Sequence, residues 1–147
     1  MRTTSLKGKA LYFLSRREYA YQELFTKLKK YSEDENEIRK LLDSFVQLGY
    51  LSEKRFIQSF INSRSKKHGL LKIKYQLSQK TTDSDLVNQI INDTEFDEVS
   101  VARELFQKKF GVVAADRNEL AKQIRFLQNR GFSYSVIKQV INGVFEE

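Results

Sequence analysis

The chain of 147 residues contains no cysteine and no proline, a single histidine and six glycines. Without cysteine there is neither a disulfide framework nor a thiolate metal site, and His68 alone cannot assemble a histidine-rich one. The expected compartment is a reducing one, the cytoplasm. Prolines normally punctuate loops and edge strands. Their absence, with so few glycines, suits a near-continuous succession of helices joined by short turns. Long apolar runs are missing as well: the run Ala10 to Leu14 is too short for a signal peptide, and nothing downstream is expected to span a bilayer. At this length the expectation is one compact domain or a short array of small units.

What is present in excess is positive charge: 26 basic residues stand against 19 acidic ones, a formal net charge of +7. Such an excess favours polyanions, nucleic acid or an acidic protein surface. The excess is greatest, for its length, in the middle third. Between Lys54 and Lys80 there are eight Lys and Arg and no Asp or Glu. A solvated helix face normally mixes both signs, so this stretch repels itself unless something negative meets it. Lys66 and Lys67 close one expected helix and Lys72 and Lys74 open the next, which gathers four charges around the Gly69 turn.

Helix signals divide the chain into nine segments, at about 6–16, 20–31, 34–48, 53–67, 70–80, 83–93, 97–110, 117–130 and 134–145. Ser32 with Glu35 and Asp116 with Glu119 have capping-box spacing, Thr82 with Asp85 a weaker form of it, and Ser52 and Ser133 follow Gly49 and Gly131 as start after stop. The nine segments fall into three sets of three. Leu28, Leu77 and Leu127 each precede by ten residues the start of one pattern, Ile38/Leu41/Leu42, Val87/Ile90/Ile91 and Ile137/Val140/Ile141, at a period of 49 to 50 residues. The fold expected is all-α: three tandem three-helix repeats, bounded at 1–51, 52–94 and 95–147, stacked into an elongated, curved array.

No enzyme signature survives inspection. Gly8-Lys9 lacks the upstream glycine of a phosphate-binding loop. His68, crowded by cations, reads as a solvent-facing helix end, and the acidic clusters near Ser32 to Glu37 and Thr94 to Glu98 read as helix-start carboxylates rather than metal ligands. Phe45, Phe56, Phe60, Phe106 and Phe126 sit on apolar faces and are expected in the core. Tyr19, Tyr21 and Tyr31, close to several basic residues, either stack on bases or border a helix with their hydroxyls in water.

Several stretches together resemble one family. Arg17-Glu18-Tyr19-Ala20-Tyr21-Gln22-Glu23-Leu24 with Lys27-Leu28, then Gly49-Tyr50-Leu51 with Arg55-Phe56, Phe60, Arg64, Gly69, Ile73 and Leu77, and finally Phe126-Leu127 with Arg130-Gly131-Phe132-Ser133, are similar to the patterns of the RecX family, bacterial regulators of the RecA recombinase. Ala20 or Tyr21 stands where the first pattern usually has serine, and Ser52-Glu53 replaces an acidic pair; both are helix-start positions. The resemblance implies three tandem three-helix repeats, a curved body lying in the groove of the RecA filament, and inhibition of its recombinase and ATPase activity by destabilising or capping that filament; the expectation is a non-enzymatic monomer without a cofactor. Direct binding of single- or double-stranded DNA is compatible with it; no membrane partner is expected, since no segment is long and apolar enough to span a bilayer. Candidate filament or DNA contacts are Arg17, Lys27 and Lys30 in the first set, Arg55, Arg64, Lys66, Lys67, Lys72 and Lys74 in the second, and Arg125 and Arg130 in the third. The alternative is a helix-turn-helix-like DNA-binding protein. It would concentrate base-reading residues on a last helix of each set, yet the segments 83–93 and 134–145 carry only Lys138 as a base. An RNA-binding helical repeat would need matched base-reading residues in every set, and the three do not show them.

Overall fold

Leu28, Leu77 and Leu127, the three residues that mark the period, are each 0 % exposed, and the triplets that follow them are buried or half-buried throughout. The recurring pattern is therefore core, as helical spacing of apolar residues requires. The computed structural model describes residues 5–143, and among these the only regular structure is helical. The helices are α1 (Leu6–Arg16), α2 (Tyr21–Leu28), α3 (Glu35–Leu48), α4 (Glu53–Arg64), α5 (Leu70–Ser78), α6 (Ser84–Asp93), α7 (Glu98–Lys109), α8 (Arg117–Asn129) and α9 (Tyr134–Gly143). The end expected for the ninth, at 145, lies outside the described residues.

Three helices stop two or three residues before their expected ends, and for one reason. After α2, the N–H groups of Tyr31 and Ser32 both reach the carbonyl of Leu28. Those of Lys67 and His68 converge on Arg64 after α4, and those of Lys80 and Thr81 on Leu77 after α5. The final turn tightens and the chain leaves the helix.

Two expected caps are displaced. α3 is capped by Asp34, whose Oδ1 accepts from the N–H of Asn36 (3.1 Å) and Glu37 (3.2 Å), while the Ser32 hydroxyl accepts from Asp34 N–H instead. Before α6, Asp83 accepts from Leu86 N–H at 3.1 Å and Thr81, not Thr82, steadies Asp83. A carboxylate complements the helix dipole as well as the N–H groups, and so wins over a neighbouring hydroxyl. Ser52, Asp116 and Ser133 cap as expected, accepting from Arg55, Glu119 and Val136.

Two compact units account for the described residues. One holds the residues up to Phe60 together with Leu77–Ile90; the other holds Ile61–Gln76 together with the residues from Ile91 onward. The first has a core of Leu24, Phe25, Leu28, Ile38, Leu42 and Phe45, with Tyr19 and Leu51. The second is built on Phe106, Leu127, Phe132, Ile137 and Val140.

The same device recurs in both. In the first unit Glu53, which opens α4, accepts through one oxygen from the N–H of Tyr21, the first residue of α2, and through the other from the Thr81 hydroxyl at 2.7 Å. In the second, Glu98, which opens α7, accepts at 2.9 Å from the N–H of Leu70, the first residue of α5. α2 has no side-chain cap of its own, because Ala20 occupies the cap position. Glu53 supplies from a distance an acceptor for the first of the N–H groups that a helix start leaves unpaired.

Within the second unit two glycines meet. The Gly69 N–H donates to the Arg130 carbonyl (2.7 Å) and the Leu71 N–H to that of Gly131 (3.2 Å). A Cβ on Gly69 would lie 2.3 Å from the Gly131 carbonyl oxygen, and a Cβ on Gly131, whose φ is +93°, 2.3 Å from Lys72 Cβ. Gly69→Ala is therefore expected to cost about 3 kcal/mol, the upper end for overpacking, because the atom met is backbone. Gly49→Ala meets nothing within 4 Å and pays only for its φ of +80°, roughly 1 to 2 kcal/mol. Thermal denaturation of the two variants should show the larger loss for Gly69→Ala; equal melting temperatures would remove the close contact. Glu53→Ala, leaving the Tyr21 N–H without its acceptor, should lose about 1 to 3 kcal/mol by the same measurement.

Candidate functional site

The glycine contact assembles a cation cluster in the second unit. Arg130 is the C-cap of α8, and Lys72 follows from the first turn of α5, its ammonium 3.4 Å from the Asn129 carbonyl. Arg64 ends α4 and Lys67 lies in the turn beyond it. These four surround His68. Burial lowers the pKa of that imidazole, and the positive charges of Lys72, Arg130, Arg64 and Lys67 lower it further. Its Nδ1 is buried without a hydrogen-bond partner. The solvent-facing position expected for His68 is thus corrected: the ring is half-buried, because the Gly69 turn is pressed against the Gly131 turn. A cavity of about 180 Å³ adjoins it, with His68, Leu70 and Ile73 on one side and Glu95, Asp97 and Glu98 on the other. Two of those carboxylates have local duties: Glu98 holds Leu70, and Asp97 is lowered in pKa by the hydroxyl and N–H of Ser100 as it caps α7.

Of the four lysines expected around Gly69, Lys67 and Lys72 join the cluster. Lys66 and Lys74 are exposed and are not among the groups that act on His68. Arg64 and Arg130 complete it, and Arg125 stands exposed on α8. No sequence signal places Arg130 beside Lys72, since 58 residues separate them.

The first unit brings together Arg17, Lys27 and Lys30, which line an open cavity of about 410 Å³ with Tyr19, Glu23 and Lys80. Arg17 stacks 3.6 Å from the centre of the Tyr19 ring and pairs with Glu23 at 3.2 Å. Lys80, which the sequence patterns do not single out, pairs with the same carboxylate at 2.9 Å. Arg55 does not join them: its guanidinium is bound to Glu18 (3.1 Å) and to the Gly49 carbonyl (2.6 Å), tying α4 to the turns before α2 and after α3. The tyrosines sort by burial. Tyr19 is only 4 % exposed; burial, and then the hydrogen bond that the Tyr21 hydroxyl donates to Asp43, raise the pKa of Tyr21 to about 12. Tyr31 alone of the three is open, under the Lys9 ammonium at 4.2 Å. Base stacking by Tyr19 is closed off.

Among the described residues no helix is long and apolar enough to cross a membrane, and among them no group of three or more His, Cys, Asp and Glu is placed to hold a metal ion. Fold and site define an all-helical protein, with an internal three-helix periodicity, that clusters cations at a turn-to-turn junction. A model of the third three-helix domain of RecX matches residues 97–141. The regulatory protein RecX of Herminiimonas arsenicoxydans is 42 % identical over 91 % of the chain and 89 % of its own length. That of Acinetobacter baylyi is 40 % identical over 98 % and 91 %. The crystal structure of RecX from Lactobacillus salivarius superposes with a TM-score of 0.80 at 22 % identity, covering 97 % of this chain and 96 % of that one, and so shares the fold. The chain belongs to the RecX family of regulatory proteins.

His68 is the sole histidine, so its imidazole resonances report on the cluster without overlap. Proton NMR titration should place its pKa below the ordinary value of about 6.5, and Lys72→Gln should raise it. Because the folded state disfavours the imidazolium, this group removes stability as pH falls through the ordinary histidine range toward the lower folded value. A folded pKa at or above the ordinary value would dissolve the cluster.

Proposed function

We propose that this protein binds the RecA nucleoprotein filament and inhibits its recombinase and ATPase activity, acting as a monomer without a cofactor or catalysis. Direct contact with the DNA in the filament is part of the reading. Its repeats are assigned to 1–51, 52–94 and 95–147. The observation that carries the proposal is the cluster of Arg64, Lys67, Lys72 and Arg130, whose four charges press on one half-buried imidazole. Cations concentrated in this way repel one another, and phosphates or carboxylates of a partner relieve that repulsion. Family membership narrows the partner. The relatives bear the name "Regulatory protein RecX", and the resemblance set out above ties that family to RecA. The helix-turn-helix alternative loses ground on the same surface: α6 has no Lys or Arg and α9 only Lys138, whereas the cations gather at turns and helix ends. Arg125, Lys66 and Lys74 are assigned to the rim of the contact, where charges set encounter rate more than affinity.

The test is RecA's DNA-dependent ATP hydrolysis, titrated with this protein during filament assembly and after it. Suppression is expected well below one copy per RecA, since blocking filament growth does not require occupying every subunit. Lys67→Glu with Lys72→Glu should raise the concentration needed by on the order of 100-fold, at about 1.5 kcal/mol for each charged contact; Lys66→Glu with Lys74→Glu should do less. A folded Lys67/Lys72 double variant that inhibits as well as the parent would falsify the proposal. Suppression that appears only once this protein saturates the free DNA would favour the DNA-binding alternative.

A further inference from the structure

The cavity of the first unit is not needed for the reading above, and it has the make-up of a site. Arg17, Lys27, Lys30 and Lys80 line its volume of about 410 Å³ against one carboxylate, Glu23. That carboxylate is saturated. Its Oε1 accepts from Arg17 at 3.2 Å and from the Ala20 N–H at 3.1 Å; its Oε2 accepts from Lys80 at 2.9 Å and from Arg17 at 3.4 Å. Burial pushes the Glu23 carboxyl up, yet the hydrogen bonds from Lys80, Arg17 and Ala20 together outweigh it and hold its pKa below the ordinary carboxylate value. Lys27 is steadied separately, with its ammonium 3.3 Å from the Tyr19 hydroxyl.

Three of the four cations are thus held in place before anything binds. The cost of ordering long, flexible side chains on an anion is met by the fold rather than by the complex. A structural role accounts for Arg17 and Lys80, which share Glu23. Lys27 also lies over the Phe13 ring at 4.7 Å, but no second carboxylate lines the cavity to offset the charge of Lys27 and Lys30. A guanidinium and ammonium groups converging on one concave opening match the oxygens of a phosphate, and the volume lies in the range of small-molecule sites, roughly 300 to 1,000 Å³.

We propose that this cavity is a phosphate-binding site. Glu23 orients Arg17 and Lys80, while Lys27 and Lys30 supply the charge that the bound group neutralises. The phosphate is carried either by a nucleic-acid strand or by a small phosphorylated compound. The test uses the whole chain, labelled with ¹⁵N, and inorganic pyrophosphate as the probe. Saturable amide shifts are expected at Ala20, Glu23 and Lys80. Lys27→Gln with Lys30→Gln should weaken binding at least about tenfold, two charged contacts being removed, while a cooperative melting curve shows that the variant still folds. Lys40→Gln with Lys54→Gln, equal in charge but not lining the cavity, should leave it intact. Competition by a short single-stranded oligonucleotide then tells the sources apart: displacement of pyrophosphate identifies a strand, persistence a small compound, and the site stands in both cases. Shifts that do not saturate, or an equal loss in the control pair, would reduce the cavity to general electrostatic attraction and overturn the proposal. RecA is absent from the assay, so its outcome is separable from that of the filament reading.

Discussion

A helix of eight or nine residues cannot hold itself together in water, and α2 and α5 are of that length. Their first N–H groups need acceptors, and in each compact unit the acceptor is a glutamate that opens a later helix. Glu53 reaches Tyr21 and Glu98 reaches Leu70. One carboxylate at that position therefore does two things. It complements the dipole of its own helix, and it fixes the start of another. Remove it and a short helix loses both its cap and its anchor, so the packing of Leu24 and Leu28, or of Ile73, loses the frame that presents those side chains to the core.

The cation cluster follows from a second constraint of the same kind. Charges avoid one another unless backbone geometry obliges them to meet, and here the backbone obliges. The Gly69 and Gly131 turns are hydrogen-bonded at a distance that admits no side chain between them. The residues flanking those turns are Lys67, His68, Lys72 and Arg130. Glycine at both points is thus a condition of the electrostatics as much as of the fold, and the burial that leaves His68 Nδ1 without a partner has the same origin.

Features set by neighbours along the chain are legible in the sequence. The helix pattern, the buried leucines at a fixed period and the caps at Ser52, Asp116 and Ser133 depend on residues within a turn or two, and periodicity reports them. The caps at Asp34 and Asp83 slip by one or two positions because hydroxyl and carboxylate stand side by side, and spacing alone does not rank them. Features set by packing are hidden. Glu23 and Lys80 lie 57 residues apart, and nothing in the run of cations from Lys54 to Lys80 says that its last member turns to a carboxylate in α2. Tyr19 and Tyr21 look alike in sequence, but one is buried beneath Arg17 and the other is tied to Asp43. Of the candidate contacts, Arg55 shows the limit most plainly: its charge is spent inside the fold, on Glu18 and the Gly49 carbonyl.

The two groups of cations differ in how they are prepared for an anion, and the difference has a physical consequence. In the first unit Glu23 offsets part of the charge and holds Arg17 and Lys80 still, so binding there gains from order that already exists. In the second unit no carboxylate appears among the groups that act on His68, and the positive charges destabilise its imidazolium. An anion arriving at that surface relieves repulsion in addition to forming new contacts, and anything that binds the folded form alone also stabilises it. The Gly69–Gly131 junction carries that repulsion in the free protein. Its backbone hydrogen bonds and close glycine packing are what hold these residues together.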